Sequence, residues 1–312
     1  MVVKDDENAI ALVCSDGALQ GGFIAGAIIE LYSCFPEIWD RIDLLTASSA
    51  SVGNALYYLS HGQKNPGEEL WTKTFTDQKF VDMSKALRPE PAFDIGYLVE
   101  NVLKKRFPLS AENIVNNEIK VAIAVLNHSS CRVEIFTTSE EVMKAKSKYK
   151  INSFSGLDIH NILHAAMSIT ILYDKKVELN GSEYVDAGMV IPYVIDEGIV
   201  GARKKILVAN RTTMSTKQKI SYAATALLWE IGSTLFRRRL RREVYLSIAT
   251  KHARYRELLE IVDHEQKLGR LLLITPDEKL GRSFDNSPEA LRANFDLGKK
   301  AVRGAAPLLS TF

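Results

Sequence analysis

Residues 42–60, IDLLTASSASVGNALYYLS, constrain this chain more than any other stretch. Ile42, Leu44 and Leu45 form an apolar run of strand character. Val52, Ala55, Leu56 and Leu59 then recur at the spacing of one buried helix face. Only small residues separate the two: Ala47, Ser48, Ser49, Ala50 and Ser51. A strand that turns straight into a helix leaves no room for bulky side chains beside the turn, so the pattern fits the nucleophile elbow of a hydrolase. Around a central Ser49, the two glycine positions of G-x-S-x-G are taken by Ala47 and Ser51. An elbow also sets the serine oxygen at a helix N-terminus, where unpaired N–H groups and the helix dipole favour negative charge. The plainer alternative is a run of serines that caps a helix, since serine is a preferred N-cap.

The flanking chain repeats the theme. Residues 9–14 (AIALVC) are almost wholly apolar, as a strand buried on both faces requires. They run into the loop SDGALQGG and then into FIAGAIIELYSCF, a helix rich in small residues. Strand, loop, helix, then strand, elbow, helix predicts a parallel sheet with helical crossovers. Residues 120–127 (KVAIAVLN) read as a third strand and 132–137 (RVEIFT) as its hairpin partner. Residues 158–171 are helical in pattern. Residues 176–185 read as a hairpin turning at Asn180 and Gly181. Residues 205–210 (KILVAN) and 271–275 (LLLIT) are further strands, and 289–303 a last helix. Residues 64–67 read as a loop, and 70–97 as mixed structure broken by RPEPAF. From 215 to about 267 the pattern is mainly helical and heavily charged. The prediction is one α/β domain over residues 1–312, a three-layer α/β/α sandwich with a mainly parallel central sheet. Its core spans about 9–212, and a mainly helical part about 213–312.

Composition narrows the function classes. The net charge of +2 gives no general case for binding nucleic acid. No apolar run is long enough to span a bilayer. The opening MVVKDDENAIALVCS lacks the basic leader of a signal peptide. Cys14, Cys34 and Cys131 have neither metal-site nor redox spacing, which fits a reducing, cytoplasmic compartment. His160 and His164 are four apart as in zinc proteases, but the glutamate after the first histidine and a third ligand are missing, so no metal site is expected. Neither a G-x-G-x-x-G nor a Walker lysine accompanies the glycines near Gly17. One basic run stands out: Arg237, Arg238, Arg239, Arg241 and Arg242, beside Phe236, Leu240 and Val244. Adjoining basic and apolar stripes suit peripheral contact with an anionic membrane, while a solvated helix face is the plainer reading.

Three loops thus follow apolar strands or hairpins, and each carries one reactive or charged group: 15–22, 47–51 and 186–188. Acyl transfer needs a nucleophile, a base and N–H donors for an oxyanion. SDGALQGGFIAG resembles the S-G-G-G-x-R-G-x-x-x-A-G loop of patatin-like phospholipases, and ASSAS resembles their G-x-S-x-G elbow. VDAGMVIPYVI is similar to their D-G-G/A segment. LHAAMSITILYDKKVELNGSEYVDAG is similar to the helix and hairpin that lead to the acid. The segment from LITPDEKLG to ANFDLGKKA resembles the closing segment, and all these matches fall in the family's order.

The resemblance implies a Ser–Asp dyad without histidine: Ser49 as nucleophile, Asp186 as base, and an oxyanion loop of Asp16, Gly17, Ala18, Gln20 and Gly21. The implied reaction is phospholipase A-type hydrolysis of fatty acyl esters through an acyl-Ser49 intermediate, with no cofactor. The departures are Ala47 and Ser51 in the elbow, Thr170 for a proline, Gln20 for an arginine, and Asp16 for a glycine. If the Asp16 carboxylate faced the oxyanion, repulsion over ~6 Å at an effective dielectric of ~20 would cost roughly 3 kcal/mol. That is about what one oxyanion donor contributes. Two alternatives therefore stand beside the lipid hydrolase: a weakened relative that binds lipid or a protein partner, and an esterase or thioesterase for soluble acyl substrates.

Overall fold

The computed structural model describes residues 8–82, 84–85, 91–170, 172–173, 175–211 and 242–312. The apolar runs become the strands of one sheet: β1 (Ile10–Cys14), β2 (Ile42–Ser48), β3 (Lys120–Asn127), β4 (Arg132–Thr137), β5 (Lys150–Ser153), β8 (Lys204–Val208) and β9 (Leu271–Ile274), in the order β5-β4-β3-β2-β1-β8-β9. β1, β2, β3, β8 and β9 are mutually parallel, and β4 returns antiparallel to β3. The hairpin of β6 (Val177–Leu179) and β7 (Ser182–Asp186) joins through β7 on β3. Its turn is the predicted one, with Asn180 at φ 50° and Gly181 at φ 73°, the left-handed pair that a two-residue hairpin needs.

This is the α/β architecture that the sequence pattern predicts. Every residue of β1 is buried, as befits a strand between two parallel neighbours. From β1 to β2 to β3 the chain steps one way across the sheet, through the helices Gly21–Cys34 and Ala50–His61. From β8 to β9 it steps the opposite way, past the helix Lys251–Lys267. Right-handed crossovers in opposite directions put helices on opposite faces. The order reverses beside β1, and at such a reversal the carboxyl ends of the strands open a crevice. The loop after β1 and the elbow after β2 both lie at that end.

The helix Pro288–Gly304 closes against Gly21–Cys34 at a crossing only glycine permits. A Cβ on Gly26 would stand 2.0 Å from the Phe295 carbonyl oxygen, and one on Gly298 would stand 2.0 Å from that of Phe23. The helix predicted over 158–171 is shorter, Ile159–Met167. Ser168 ends it: its hydroxyl bonds back to the His164 carbonyl at 2.8 Å, and its own carbonyl accepts the Asp186 N–H at 3.0 Å. No helix among the described residues is long and apolar enough to cross a membrane. Arg237, Arg238, Arg239 and Arg241 lie outside the described residues, and Arg242 opens the helix Arg242–Ala249.

Candidate active site

The register of β3 brings the elbow and the acid together. β2 pairs with its first half and ends at Ser48 opposite Ala124. β7 takes over at the next residue, where Val125 faces Asp186. Ser49 and Asp186 therefore leave the sheet side by side, although 137 positions separate them. The Ser49 hydroxyl donates to Asp186 Oδ2 at 2.7 Å, with Ser49 4% and Asp186 2% exposed.

Ser49 sits at φ 58°, ψ −135°, a left-handed conformation rare for a residue with a side chain. It occupies the N-cap position of the helix Ala50–His61, but its side chain makes no capping bond. The capping alternative therefore does not describe Ser49, whose hydroxyl is committed to Asp186. Ala47 is fully buried in β2. The Ser51 hydroxyl donates to the carbonyl of Ser15, tying the elbow helix to the end of β1. Serine in place of the elbow glycine thus makes a bond of its own. Ser48 points elsewhere: its buried hydroxyl has no hydrogen-bond partner among the described residues.

Asp186 Oδ1 accepts the Gly188 N–H at 2.6 Å, which fixes the carboxylate with Oδ2 towards Ser49. A Cβ on Gly188 would stand 2.8 Å from the Ser49 Cβ and 3.0 Å from the Asp16 Cβ, so three loops meet where only glycine fits. Burial pushes the Asp186 carboxyl up to about 7; the Ser49 and Gly188 hydrogen bonds hold it down, the negative Asp16 adds to the rise, and Lys251 offsets part of it. A carboxylate poised there can exchange a proton at neutral pH.

In the loop after β1, the N–H groups of Asp16, Leu19 and Gln20 donate to Pro192, Ser283 and Gly17 carbonyls. Those of Gly17 and Ala18, between them, have no acceptor among the described residues. Ala18 takes φ 45°, and a Cβ on Gly17 would approach Asn210 Nδ2 to 2.9 Å. Gln20, in the arginine's place, donates to the Gly281 carbonyl at 2.7 Å. Gly21 begins the following helix, packed on Ala50 and Trp71 so that a Cβ would stand 2.9 Å and 2.8 Å from them. Thr170, in the proline's place, is buried.

Asp16 is not the uncompensated charge that the sequence raised. Its Oδ2 accepts from Lys251 Nζ at 2.7 Å, and Arg211 Nη2 stands 3.7 Å from Oδ1. Asn210 Nδ2 donates to its backbone carbonyl at 2.8 Å. Sequence reasoning assigned no role to Lys251, Arg211 or Asn210. Asn210 ends the KILVAN run and Arg211 follows it; nothing in the sequence sets Lys251 apart from other lysines in a charged helix. His160 and His164 are elsewhere. His160 Nε2 accepts the Leu109 N–H at 3.3 Å, and His164 Nε2 meets the Tyr173 hydroxyl at 2.8 Å. Among the described residues no group of three His, Cys, Asp or Glu could hold a metal ion.

A narrow apolar pocket of about 20 Å³ opens beside Ser49, lined by Ala18, Leu19, Trp71, Phe75, Phe93 and Ile169 among others. Its wall is a chain of aromatic rings, Trp71–Phe75–Phe80–Phe93, with centroids 4.7, 5.5 and 5.6 Å apart in turn.

No protein-family model matches this chain. No curated protein matches it either. Among solved structures it is similar to VipD from Legionella pneumophila, at 10% identity and a TM-score of 0.45, over 96% of this chain and 67% of that one.

Proposed function

We propose that this chain is a serine acyl hydrolase of the patatin-like kind, acting on apolar carboxylic esters. One observation carries the reading: a buried Ser49 in the elbow conformation donates to the Asp186 carboxylate at 2.7 Å. As Ser49 Oγ bonds to the ester carbonyl carbon, its proton passes to Asp186 and the carbonyl electron pair moves to oxygen. The Gly17 and Ala18 N–H groups receive that oxyanion. Collapse expels the alcohol, which takes the proton from Asp186 and leaves acyl-Ser49. Water repeats the sequence, releasing the acid and restoring Ser49. Every step runs on the chain's own groups.

The aromatic and aliphatic lining beside Ser49 suits an acyl chain, and the resemblance of the three loops points to a glycerophospholipid as its donor. A second reading, short soluble acyl esters or thioesters, is favoured by the pocket volume of about 20 Å³, room for about one water-sized group, so that a long acyl chain enters only if the rings move. Turnover of p-nitrophenyl acetate against phospholipid vesicles separates the two. Ser49→Ala should abolish whichever activity is found. Full turnover by Ser49→Ala would remove the proposal.

A further inference from the structure

The helix Lys251–Lys267 is anchored near both ends by buried charge, to a strand at one end and to loops at the other. Near its C-terminus Glu265 accepts from Lys205 of β8 at 2.8 Å. At its first residue Lys251, 2% exposed, donates to Asp16 Oδ2 at 2.7 Å and to the carbonyl of Gly188. These acceptors belong to different loops of the candidate site. Asp16 belongs to the loop whose next two N–H groups lack acceptors, and Gly188 to the turn whose N–H holds Asp186.

We infer that Lys251 is a positioning residue of this site, clamping the loop after β1 to the turn after β7 and supplying the cation that balances Asp16 beside Asp186. Gln20, uncharged and bonded to the Gly281 carbonyl, cannot supply that charge. Taking either charge out of water unpaired is costly, whereas the pair together is tolerable. Asp16 and Lys251 are therefore one unit, drawn from positions 235 apart in the chain. The groups around that unit are Arg211, 3.7 Å from Asp16 Oδ1, and Tyr193, whose hydroxyl is held protonated first by burial and further by the charges of Tyr255 and Asp16. Tyr255 joins them, its hydroxyl donating to the Arg211 carbonyl at 3.0 Å. Asp186 itself faces Ser49, the Gly188 N–H, Asp16 and Lys251.

The signs follow from Coulomb's law. Removing Lys251 leaves Asp16 to disfavour the Asp186 carboxylate, and removing the Asp16 charge leaves Lys251 to favour it. The test is a titration of the full chain carrying ¹³C-labelled aspartate carboxyls, with the Asp186 signal assigned through Asp186→Asn. The wild-type midpoint is expected near 7. Lys251→Met should raise it by about one pH unit, Asp16→Asn should lower it by a similar amount, and the double variant should return close to wild type. The acid limb of kcat/KM for a soluble ester should move in the same order, and Lys251→Arg should retain the wild-type profile. A purely structural lysine would lower activity without moving either midpoint. Should Lys251→Met fail to fold, Asp16→Asn and the double variant carry the test. An Asp186 midpoint that Asp16→Asn leaves unchanged, or that the double variant shifts as far as Asp16→Asn does, would overturn the inference. It rests on the acyl-hydrolase reading only for the kinetic profile: a wild type that hydrolyses no ester would remove that reading, and the titration would still decide the role of Lys251.

Discussion

Ser48, Ser49 and Ser51 occupy one short turn yet face three environments, and substitutions should separate them. Ser49→Ala removes the group bonded to Asp186 and should reduce ester turnover to background. Ser48→Ala deletes a buried hydroxyl with no partner among the described residues, so activity and stability should stay near wild type. Ser51→Ala removes the bond to the Ser15 carbonyl and should cost about 1–2 kcal/mol in stability, with a smaller loss of turnover. Equal loss of turnover from Ser48→Ala would place the nucleophile one residue earlier. Asp186 invites a pH test. Its carboxyl stands at about 7 in the folded chain against an ordinary 3.8, so the stability it contributes is full below about pH 4 and lost as pH rises through 7. Above pH 7 the accumulated cost is about 4 kcal/mol. Asp186→Asn should therefore raise the melting temperature at pH 8 and change it little at pH 4. The same gain at both would mean that burial of charge is not what strains this residue.

At the scale of elements, the crossing of Gly21–Cys34 with Pro288–Gly304 is the most sharply constrained contact. Gly298→Ala sets a methyl 2.0 Å from a backbone oxygen that cannot yield, and should destabilise by about 1–3 kcal/mol or more. Gly304→Ala, with open space around its Cβ, should leave thermal unfolding unchanged or slightly raised. Comparable melting of the two would contradict this packing. The crossing shows where sequence legibility stops. The strands were readable because burial on both faces demands unbroken apolar runs, as in IALVC, and the β6–β7 turn because Asn180 and Gly181 have few other uses. The elbow was readable because only small residues fit there. Asp186 stood out as the charged group of a loop after a hairpin, but its role as the base beside Ser49 came from the resemblance, since nothing in VDAG says which strand receives it. The β3 register that sets it beside Ser49 is a tertiary fact. Lys251, 235 positions from Asp16, carries no local mark at all.

For the molecule as a whole, the site at the strand ends is assembled from four separate parts of the described chain: the loop after β1, the elbow, the β7 turn, and the helix that brings Lys251. On the acyl-hydrolase reading, the aromatic wall beside Ser49 governs what enters it. Phe80 stands between Phe75 and Phe93, and Phe80→Ala should widen the pocket beyond its present 20 Å³. The preference between octanoyl and acetyl esters should then shift at least severalfold towards octanoyl, each methylene newly accommodated contributing up to about 0.8 kcal/mol. An unchanged chain-length profile would place the acyl chain elsewhere.

The central claim is that Asp186 activates Ser49, and labelling with a fluorophosphonate tests it most directly, because phosphonylation requires an activated serine and no particular substrate. The account predicts a single adduct mapped to Ser49, formed at a rate that climbs with pH through about 7. Asp186→Asn should slow it by at least ~10²-fold while the fold, followed by circular dichroism, is retained. No adduct on Ser49, or an adduct whose rate Asp186→Asn leaves unchanged, would contradict it.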